Sequence, residues 1–535
     1  MAFPLPPGLW AIPSYSAGPM LSSATRRLIQ TRLSDEIGRI DKDAPARVAL
    51  VYPSPYHVGM SSLGYQRIYR AIQAMPGAMC ERVFLPDEGD RAGAQIERPF
   101  SYESLRELGE FPILAVSVAY ELEIAGLVRM LDASRIPVLR EERDEQAPFI
   151  LAGGPLTFSN PLPLAPIVDA IVMGEAEGII EFAIETIYRA PSRAAALATL
   201  AAHPNIFVPA HHGSQLAQIA ACNDAELPAY SAIRTPHTEL SNMFLIESER
   251  GCSRGCTYCV MRRSTNGGMR IVPKEVIFEK IPADVKKVGL VGAAVSDHPK
   301  IIEIVSELAD RGIQVGLSSL RPDRLKEEFV AALRKAGHKT LTTALDGPSE
   351  RMRGLIDRRG REPHYVAAAE RTRRMGFDRL KLYLMIGLPG ETDEDIDECV
   401  KFVGELSKIC PIALGVAPFC AKRNTPLDRM PYAGVARVDA KLDRLRKGLR
   451  GRADVRAVSA KWAWVEYVLA QGGEAEGLAL ISAVREGGKF SDYRRAFGVL
   501  GHRPDGNGYE GIETPIAPER LKHKKLPLVI SALGK

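Results

Sequence analysis

Short apolar runs recur in the first third of the chain and alternate with segments whose apolar residues have helical spacing. The runs are Val48–Tyr52, Val83–Leu85, Ile113–Val118, Phe149–Ala152 and Ala170–Met173. The clearest helical stripe between them extends from Ile124 to Leu131 and ends before Pro137. This alternation predicts a doubly wound parallel α/β sheet, whose ligand crevice lies at the carboxyl ends of the strands.

A second series of apolar runs follows after a less regular connection. Its six members are Phe244–Glu247, Val288–Val291, Gln314–Ser318, Thr340–Ala344, Leu380–Ile386 and Ile412–Ala417. Helical segments separate them; one of these closes at Gly312, and another opens at Thr392 with an acidic first turn. Six βα units predict a partial (β/α)6 barrel with its active site at the carboxyl ends of the strands.

These two series divide the chain into five predicted segments. They are an N-terminal extension at 1–46, a Rossmann-type domain at 47–190, a linker at 191–242, the partial barrel at 243–420 and a mainly helical region at 421–535. The predicted fold class is therefore α/β with a helical C-terminal region.

The composition is that of an intracellular enzyme. Hydrophobic residues make up 46% and charged residues 25% of 535, close to globular averages. The net charge of +5 is small beside 70 basic and 65 acidic side chains, so it gives no argument for a nucleic-acid partner. The N-terminus lacks the pattern of a signal peptide, and prolines and glycines interrupt the charge-free run Phe149–Val168. We expect a cytoplasmic protein without a membrane span.

A candidate metal-binding loop contains three of the eight cysteines. Cys252, Cys256 and Cys259 have the spacing C-x3-C-x2-C, and soft thiolates suit iron–sulfur clusters, zinc or copper(I). The next histidine is His298, too distant for a local zinc pattern. Zinc completed by a distant His or Asp is the alternative reading. The loop directly follows the first predicted barrel strand.

The segment from Arg250 to Cys259, including Tyr258 before the last cysteine, resembles the cluster motif of the radical S-adenosylmethionine (SAM) enzymes. The resemblance implies that the three cysteines hold a [4Fe–4S] cluster whose fourth iron chelates the amino and carboxylate groups of SAM. It also implies that one electron, from a donor such as flavodoxin or ferredoxin, cleaves SAM to a 5′-deoxyadenosyl radical.

Further segments that resemble this superfamily follow later barrel strands. They are "LVGAAVSDHP", "GLSSLRPDRL", "TALDGPSERMR" and "MIGLPGETDEDI". The resemblance implies SAM contacts from Tyr258, from the hydroxyls of Ser318 and Ser319, and from the backbone around Leu388. Asp346 stands where the family pattern more often has glutamate, and it would bind the SAM amino group or ribose. The alternative for each serine or aspartate alone is a cap or a turn.

The first domain resembles the cobalamin-binding-type domain of a radical SAM subfamily through "AGGP" and "NPLPLAPIVDAIVMGEAE". Its candidate cobalamin contacts are Tyr56, His57, Gly59, Ser117, Gly153, Gly154, Gly174 and Glu175. The D-x-H-x-x-G signature is absent, because Pro55 and Met60 occupy its Asp and Gly positions. His57 as a loop histidine without a chemical role, and the glycines as ordinary turns, are the alternatives.

These features lead to three functional hypotheses. The first is a radical SAM enzyme that acts as a cobalamin-dependent methyltransferase on an unactivated carbon. The second is a cobalamin-independent radical SAM enzyme for rearrangement, oxidation or sulfur insertion, with a vestigial N-terminal domain. Sulfur insertion usually needs a second cluster, and the N-terminal half offers only Cys80 and Cys222. The third is a non-catalytic metal-binding scaffold. The sequence identifies neither the substrate nor a catalytic side chain.

Overall fold

The structure, a computed structural model, describes residues 21–87, 96–261, 268–318, 320–506 and 531–532. By its contacts the chain forms two units. The first takes its described residues from Met1–Asn242, Gly472–Gly501 and Leu528–Lys535, and the second from Met243–Gln471 and His502–Pro527. Among the described residues, no helix combines the length and apolar character needed to cross a bilayer.

The strands in chain order are β1 Ala46–Tyr52, β2 Ala78–Phe84, β3 Ile113–Ser117, β4 Phe149–Gly153, β5 Ala170–Val172, β6 Ile206–Phe207, β7 Ala220–Ala221, β8 Phe244–Glu247, β9 Glu249–Arg250, β10 Arg270–Ile271, β11 Lys287–Val291, β12 Gln314–Leu317, β13 Thr340–Asp346, β14 Arg379–Ile386, β15 Ile412–Pro418, β16 Ala453–Ala457 and β17 Ser531–Ala532. The α-helices are α1 Ser23–Ser34, α2 Tyr56–Gly59, α3 Leu63–Ala74, α4 Glu123–Ala133, α5 Ile179–Arg189, α6 Arg193–Ala201, α7 Pro209–His212, α8 Lys274–Lys280, α9 Ile301–Asp310, α10 Glu327–Lys335, α11 Glu350–Leu355, α12 Glu362–Arg374, α13 Asp393–Ile409, α14 Val435–Gly448, α15 Ala460–Gln471, α16 Glu474–Arg485 and α17 Phe490–Val499.

The first unit is built on a six-stranded sheet in the order β2-β1-β3-β4-β5-β6. Its first five strands are parallel, and β6 runs antiparallel to β5. β1 and β3 are buried along almost their whole length, as expected for strands covered on both faces. The doubly wound parallel sheet predicted from the apolar runs is confirmed, with β6 as an additional edge strand.

The second unit contains a parallel arc of strands in chain order. One sheet has the order β12-β11-β8 and another the order β13-β14-β15-β16, and a parallel bridge between Leu320 and Thr343 connects them. The predicted partial barrel is confirmed by the six expected strands. β16 is a seventh strand that lies within the predicted helical region. Its residues alternate between half-buried and exposed, so it lacks the apolar run that identifies the other strands.

The C-terminal helices divide between the two units. α14 and α15 belong to the second unit, whereas α16 and α17 belong to the first. Within the first unit, α16 packs closely at Gly477, where a Cβ atom would lie 2.3 Å from the Pro163 carbonyl oxygen. The predicted N-terminal extension is described from residue 21 onward and contains α1, whose Ile29 enters the core of the first unit. The five-segment division of the sequence stays a prediction.

Candidate active site

A short hairpin holds the loop that carries the three cysteines. β9 pairs antiparallel with β10, and Arg250 lies opposite Arg270. Gly251 follows β9 with φ +86°, a conformation that glycine adopts without strain. Within the loop the Arg254 N–H donates to the Cys252 sulfur at 3.4 Å. The loop therefore starts just after β8, at the carboxyl end of the first barrel strand, where the active site of such a barrel lies.

A cavity of about 180 Å³ opens beside this loop. Its described lining consists of Cys252, Arg254, Cys256, Tyr258, Cys259, Met261, Ala293, Ala294, Ser296, Arg321, Ala344, Asp346 and Arg358. The structure thus brings the three predicted cluster ligands into one cavity with two of the predicted SAM residues, Tyr258 and Asp346. Their roles as ligands and SAM contacts stay predictions.

Each of the three thiols lies in surroundings that disfavour its anion. Burial raises the pKa of Cys252 and Cys256, and it raises that of Cys259 to about 12. The charges of Cys256 and Cys252 raise the pKa of Cys259 further. A bound metal centre removes this penalty because its positive charge stabilises the thiolates.

The spacing of the sulfur atoms distinguishes between kinds of metal site. Three sulfurs on one tetrahedral zinc would lie about 4 Å apart. Among the described residues, the group of three metal-ligating side chains whose ligand atoms all lie within 4.8 Å of one another is Glu175, Glu177 and Cys222 in the first unit. The sulfurs of Cys252, Cys256 and Cys259 do not meet that criterion, so they lack the spacing expected around a single zinc ion.

Asp346 forms the centre of a polar cluster on the cavity wall. Its Oδ2 atom lies 2.7 Å from Nε of Arg358, and it shares a hydrogen bond with Tyr258. Burial raises the pKa of Asp346, while the Arg358 charge and the Tyr258 hydrogen bond lower it. Asp346 also has φ +62°, at a register shift in β13. Left-handed backbone is uncommon outside glycine and is concentrated at functional sites.

The other predicted SAM residues do not line the described cavity. Ser318 is exposed at the end of β12, and Ser319 lies outside the described residues. Leu388 is fully buried and belongs to an apolar cluster against which Tyr258 packs. Its N–H donates to Glu391 Oε2 at 3.3 Å. Leu388 is thus linked to the cavity through the Tyr258 ring.

Glu391 fixes the loop that carries Leu388. Its Oε1 atom accepts from the Gly387 N–H at 2.9 Å and lies 2.8 Å from Nζ of Lys441. The Glu391 side chain is 0% exposed and that of Lys441 is 6% exposed. A buried carboxylate that is paired and hydrogen-bonded holds its neighbours firmly. No local pattern in the chain indicates this pair, because its partners lie on separate elements.

The sequence analysis did not predict the three arginines that line the cavity, Arg254, Arg321 and Arg358. Arg254 and Arg321 both contact the buried carboxylate of Asp297, at 3.2 and 2.6 Å. Arg254 stands between two of the cysteines, so its position alone could have indicated it. Arg358 lies twelve residues after Asp346 on the same βα connection, and no local pattern predicts their contact.

A second, smaller cavity of about 20 Å³ meets the loop at Cys256. Its described lining is Arg254, Cys256, Arg321, Pro322, Asp323, Asp357, Arg358, Arg359 and Gly360. Each of its four arginines is paired with a carboxylate: Arg254 and Arg321 with Asp297, Arg358 with Asp346, and Arg359 with Asp357. Cys256 therefore borders both cavities.

The eight predicted cobalamin residues lie at or just beyond the carboxyl ends of β1, β3, β4 and β5. Tyr56 has no exposed surface: its hydroxyl donates to Glu36 Oε1 at 2.7 Å and its ring stacks on Tyr102. Gly59 is buried, and a Cβ atom there would lie 2.6 Å from the Phe84 ring. These two positions are filled by the protein's own side chains.

The remaining six cobalamin candidates fall into smaller groups. His57 is half-buried on α2. Ser117 and Gly153 are neighbours across β3 and β4, and Gly154 follows with φ +103°. Gly174 has φ +87°, and the carboxylate of Glu175 accepts from the Cys222 N–H at 2.8 Å. Their role as cobalamin contacts stays a prediction.

The fold and the cavity define a class of protein: a partial barrel with three cysteines gathered in one cavity at the carboxyl end of its first strand. Residues 64–209 match the family of N-terminal domains of radical SAM proteins, and residues 246–403 match the radical SAM superfamily. The chain belongs to the radical SAM superfamily.

Several proteins are similar to this chain. An uncharacterised protein of Methanocaldococcus jannaschii is 26% identical over 71% of this chain and 79% of its own length. The ribosomal protein uS12 methylthiotransferase RimO of Clostridioides difficile is 26% identical over 41% of this chain and 52% of its own length. An uncharacterised methyltransferase of Pyrococcus horikoshii is 21% identical over 54% of this chain and 65% of its own length.

Among solved structures, the cobalamin-dependent S-adenosylmethionine radical enzyme OxsB with aqua-cobalamin bound has a TM-score of 0.48 and 12% identity. The match covers 69% of this chain and 53% of that chain. The chain therefore spans about half the length of RimO and of OxsB.

A [4Fe–4S] cluster and SAM are the cofactors that the superfamily implies, and the described cavity fits them. Cys252, Cys256 and Cys259 supply three thiolates to one cavity and leave the fourth ligand position to a bound molecule. Arg254, Arg321 and Arg358 also line the cavity, where each is paired with Asp297 or Asp346.

Proposed function

We propose that this radical SAM enzyme transfers a methyl group to an unactivated carbon atom, with cobalamin bound at the carboxyl edge of the first unit's sheet. The main support for radical SAM chemistry is that one cavity is lined by the three cysteines and by two predicted SAM residues. These are Cys252, Cys256, Cys259, Tyr258 and Asp346. Methyl transfer is supported by the likeness to a methyltransferase of Pyrococcus horikoshii.

When bound, the cluster supplies the electron that cleaves SAM to methionine and a 5′-deoxyadenosyl radical, which abstracts a hydrogen atom from the substrate. The protein holds and shields the reactants. Tyr258 packs on the apolar cluster that contains Leu388 and hydrogen-bonds to Asp346. Arg358, paired with Asp346, borders the same cavity. These contacts fix the wall against which SAM would lie.

The cobalamin part of the proposal depends on six residues rather than eight. Tyr56 and Gly59 are enclosed by protein side chains, so they have no surface to offer a corrinoid. Gly154 and Gly174 have positive φ at strand ends, and a Cβ atom at either would collide with the backbone of Val118 or Ala220, so glycine is needed for the chain to turn there. Ser117 and Gly153 lie beside them at the same sheet edge, which is where an α/β sheet binds its ligand.

Sulfur insertion is the second candidate reaction, favoured by the likeness to RimO. It is less well supported by the first unit. Cys80 is fully buried within β2, at one edge of the sheet. Cys222 is buried beside Glu175 near β5, toward the other edge. Two separated cysteines do not make a second cluster site.

We further propose that a flavodoxin- or ferredoxin-type protein delivers the electron on the side of the second cavity. Cys256 borders that cavity, so one proposed cluster ligand lies beside it. Arg359 is 73% exposed at the rim, where its Nε lies 3.4 Å from Oδ1 of Asp357. An acidic redox partner would compete with Asp357 for this exposed guanidinium.

The proposed function can be tested on anaerobically purified, cluster-reconstituted protein supplied with cobalamin. With dithionite and SAM we expect formation of 5′-deoxyadenosine, about four irons and four sulfides per chain and a retained corrinoid. SAM with a deuterated methyl group should give a labelled product from a cell extract. Absence of 5′-deoxyadenosine would refute radical SAM activity. Absence of corrinoid at saturating supply would refute the cobalamin part alone.

A further inference from the structure

Glu249 is a buried carboxyl group that the proposed chemistry leaves without a role. It lies on β9, three residues before Cys252, and has 0% exposed surface. Its Oε1 atom accepts from the Ala294 N–H at 2.6 Å. Its Oε2 atom is buried and has no hydrogen-bond partner among the described residues. A buried carboxylate oxygen without a donor costs free energy, so a donor is expected there.

The carboxyl group of Glu249 lies immediately behind the described wall of the main cavity. It contacts Ala294, which lines that cavity, and its charge raises the pKa of Cys252, another lining residue. The backbone makes room for it at Gly292, where a Cβ atom would lie 2.1 Å from Glu249 Oε1. Only glycine at 292 is compatible with the carboxyl group in this place.

The nearby cations are already paired with other carboxylates. Arg250 donates to both oxygens of Glu247 at 2.7 and 2.8 Å. Arg254 and Arg321 contact Asp297. Burial, together with the charges of Glu247 and Asp297, raises the pKa of Glu249 to about 7. The site therefore attracts a positively charged donor that the described protein residues do not supply.

The carboxylate that lines the described cavity, that of Asp346, is already engaged. Asp346 is paired with Arg358 and hydrogen-bonded to Tyr258, so its capacity to accept from a ligand is reduced. Glu249 has one carboxylate oxygen bonded to backbone, which orients the group, and one oxygen available. SAM carries an α-ammonium group with three N–H donors, whereas its sulfonium has none.

We infer that Glu249 accepts a charge-assisted hydrogen bond from the α-ammonium group of SAM and so positions the cofactor. This inference depends on the radical SAM part of the proposed function but not on the reaction that follows SAM cleavage. The sequence analysis assigned the contact with the SAM amino group or ribose to Asp346. The inference assigns the ammonium contact to Glu249, on β9 just after the first barrel strand.

The test measures binding rather than turnover. Glu249→Gln keeps the shape and an acceptor for the Ala294 N–H but removes the charge. We expect it to weaken the binding of SAM, and of S-adenosylhomocysteine, by roughly tenfold to a hundredfold. Binding of 5′-methylthioadenosine, which has no ammonium group, should be unchanged. Equilibrium dialysis on the cluster-loaded protein gives all three dissociation constants.

Glu247→Gln is the matched control, because Glu247 belongs to the same segment and its oxygens are paired with Arg250. It should leave all three affinities near the wild-type values. If Glu249→Gln does not fold, Glu249→Asp is measured instead. It keeps the charge but shortens the side chain by one methylene, so it should also weaken SAM binding and leave 5′-methylthioadenosine binding unchanged. Equal losses for SAM and 5′-methylthioadenosine, or unchanged SAM binding with full iron content, would overturn the inference. Failure to find a methylated product would refute the proposed reaction and leave this inference standing.

Discussion

Asp346 and Arg358 form an ion pair with Oδ2 and Nε 2.7 Å apart on the wall of the three-cysteine cavity. Their side chains are 14% and 18% exposed. A pair with so little solvent is costly to break, since removal of one partner leaves a poorly solvated charge. The pair also supports Tyr258, which hydrogen-bonds to Asp346.

Replacement of Arg358 by methionine should therefore lower both the melting temperature and SAM cleavage. Arg358→Lys keeps the charge but not the guanidinium geometry, so it should restore the stability more than the activity. Thermal unfolding and 5′-deoxyadenosine production measure the two effects separately. A variant with unchanged turnover would exclude a role of this pair in the cavity.

Alanine at Cys252, Cys256 or Cys259 should abolish cluster assembly, since each supplies one of three thiolates. We expect iron and sulfide contents near zero and no 5′-deoxyadenosine, with the far-ultraviolet circular dichroism preserved. Cys410→Ala serves as the control, because Cys410 is a buried cysteine at the end of α13 and does not line the cavity. A cluster-loaded, active triple variant would refute the assignment.

Lys441→Met should destabilise the second unit by about 3–5 kcal/mol, because it leaves the buried carboxylate of Glu391 without its cation. Denaturant unfolding gives this value. Arg444→Ala on the same helix removes exposed ion pairs with Asp393 and Asp397 and should have a much smaller effect. We also expect weaker SAM binding for Lys441→Met, since Glu391 holds the loop of Leu388.

The cluster-free protein should lose stability as the pH rises from about 4.5 to 7. Burial raises the pKa of Glu249 to about 7, so the folded state binds a proton that the unfolded state releases near pH 4.5. Between these values the folded state is the more protonated, and its stability falls with pH, by about 3 kcal/mol at most. Glu249→Gln should remove this slope. An unchanged slope in Glu249→Gln would contradict this role of Glu249.

Arg359→Glu should slow reduction by an acidic flavodoxin roughly tenfold at low salt, while dithionite-supported SAM cleavage stays unchanged. Raised ionic strength should reduce the difference, since screening weakens exposed charges. Arg456→Glu is the control: Arg456 is 78% exposed on β16, at the edge of the four-stranded sheet opposite β13. Equal slowing with dithionite would contradict an effect on partner docking.

The strands of both units could be predicted because each buried parallel strand is a local apolar run. β8 coincides with its predicted range, and β12 and β15 differ from theirs by one residue. β16 and β6 were not predicted, for two different reasons. β16 is half-exposed along its length, and β6 has only two residues. Helices α16 and α17 have ordinary helical patterns, but no pattern states which unit they join.

The candidate metal-binding motif could be recognised from the sequence, because Cys252, Cys256 and Cys259 lie within eight residues and their chemistry depends on residue type and spacing. Tertiary structure alone decided which side chains surround them. Arg358 reaches Asp346 across a turn of the chain, Glu249 meets Ala294 from a different strand, and Tyr56 turns inward against Tyr102. Such contacts join residues far apart in sequence. They are fixed by the packing of whole elements, which leaves no periodic signature in the chain.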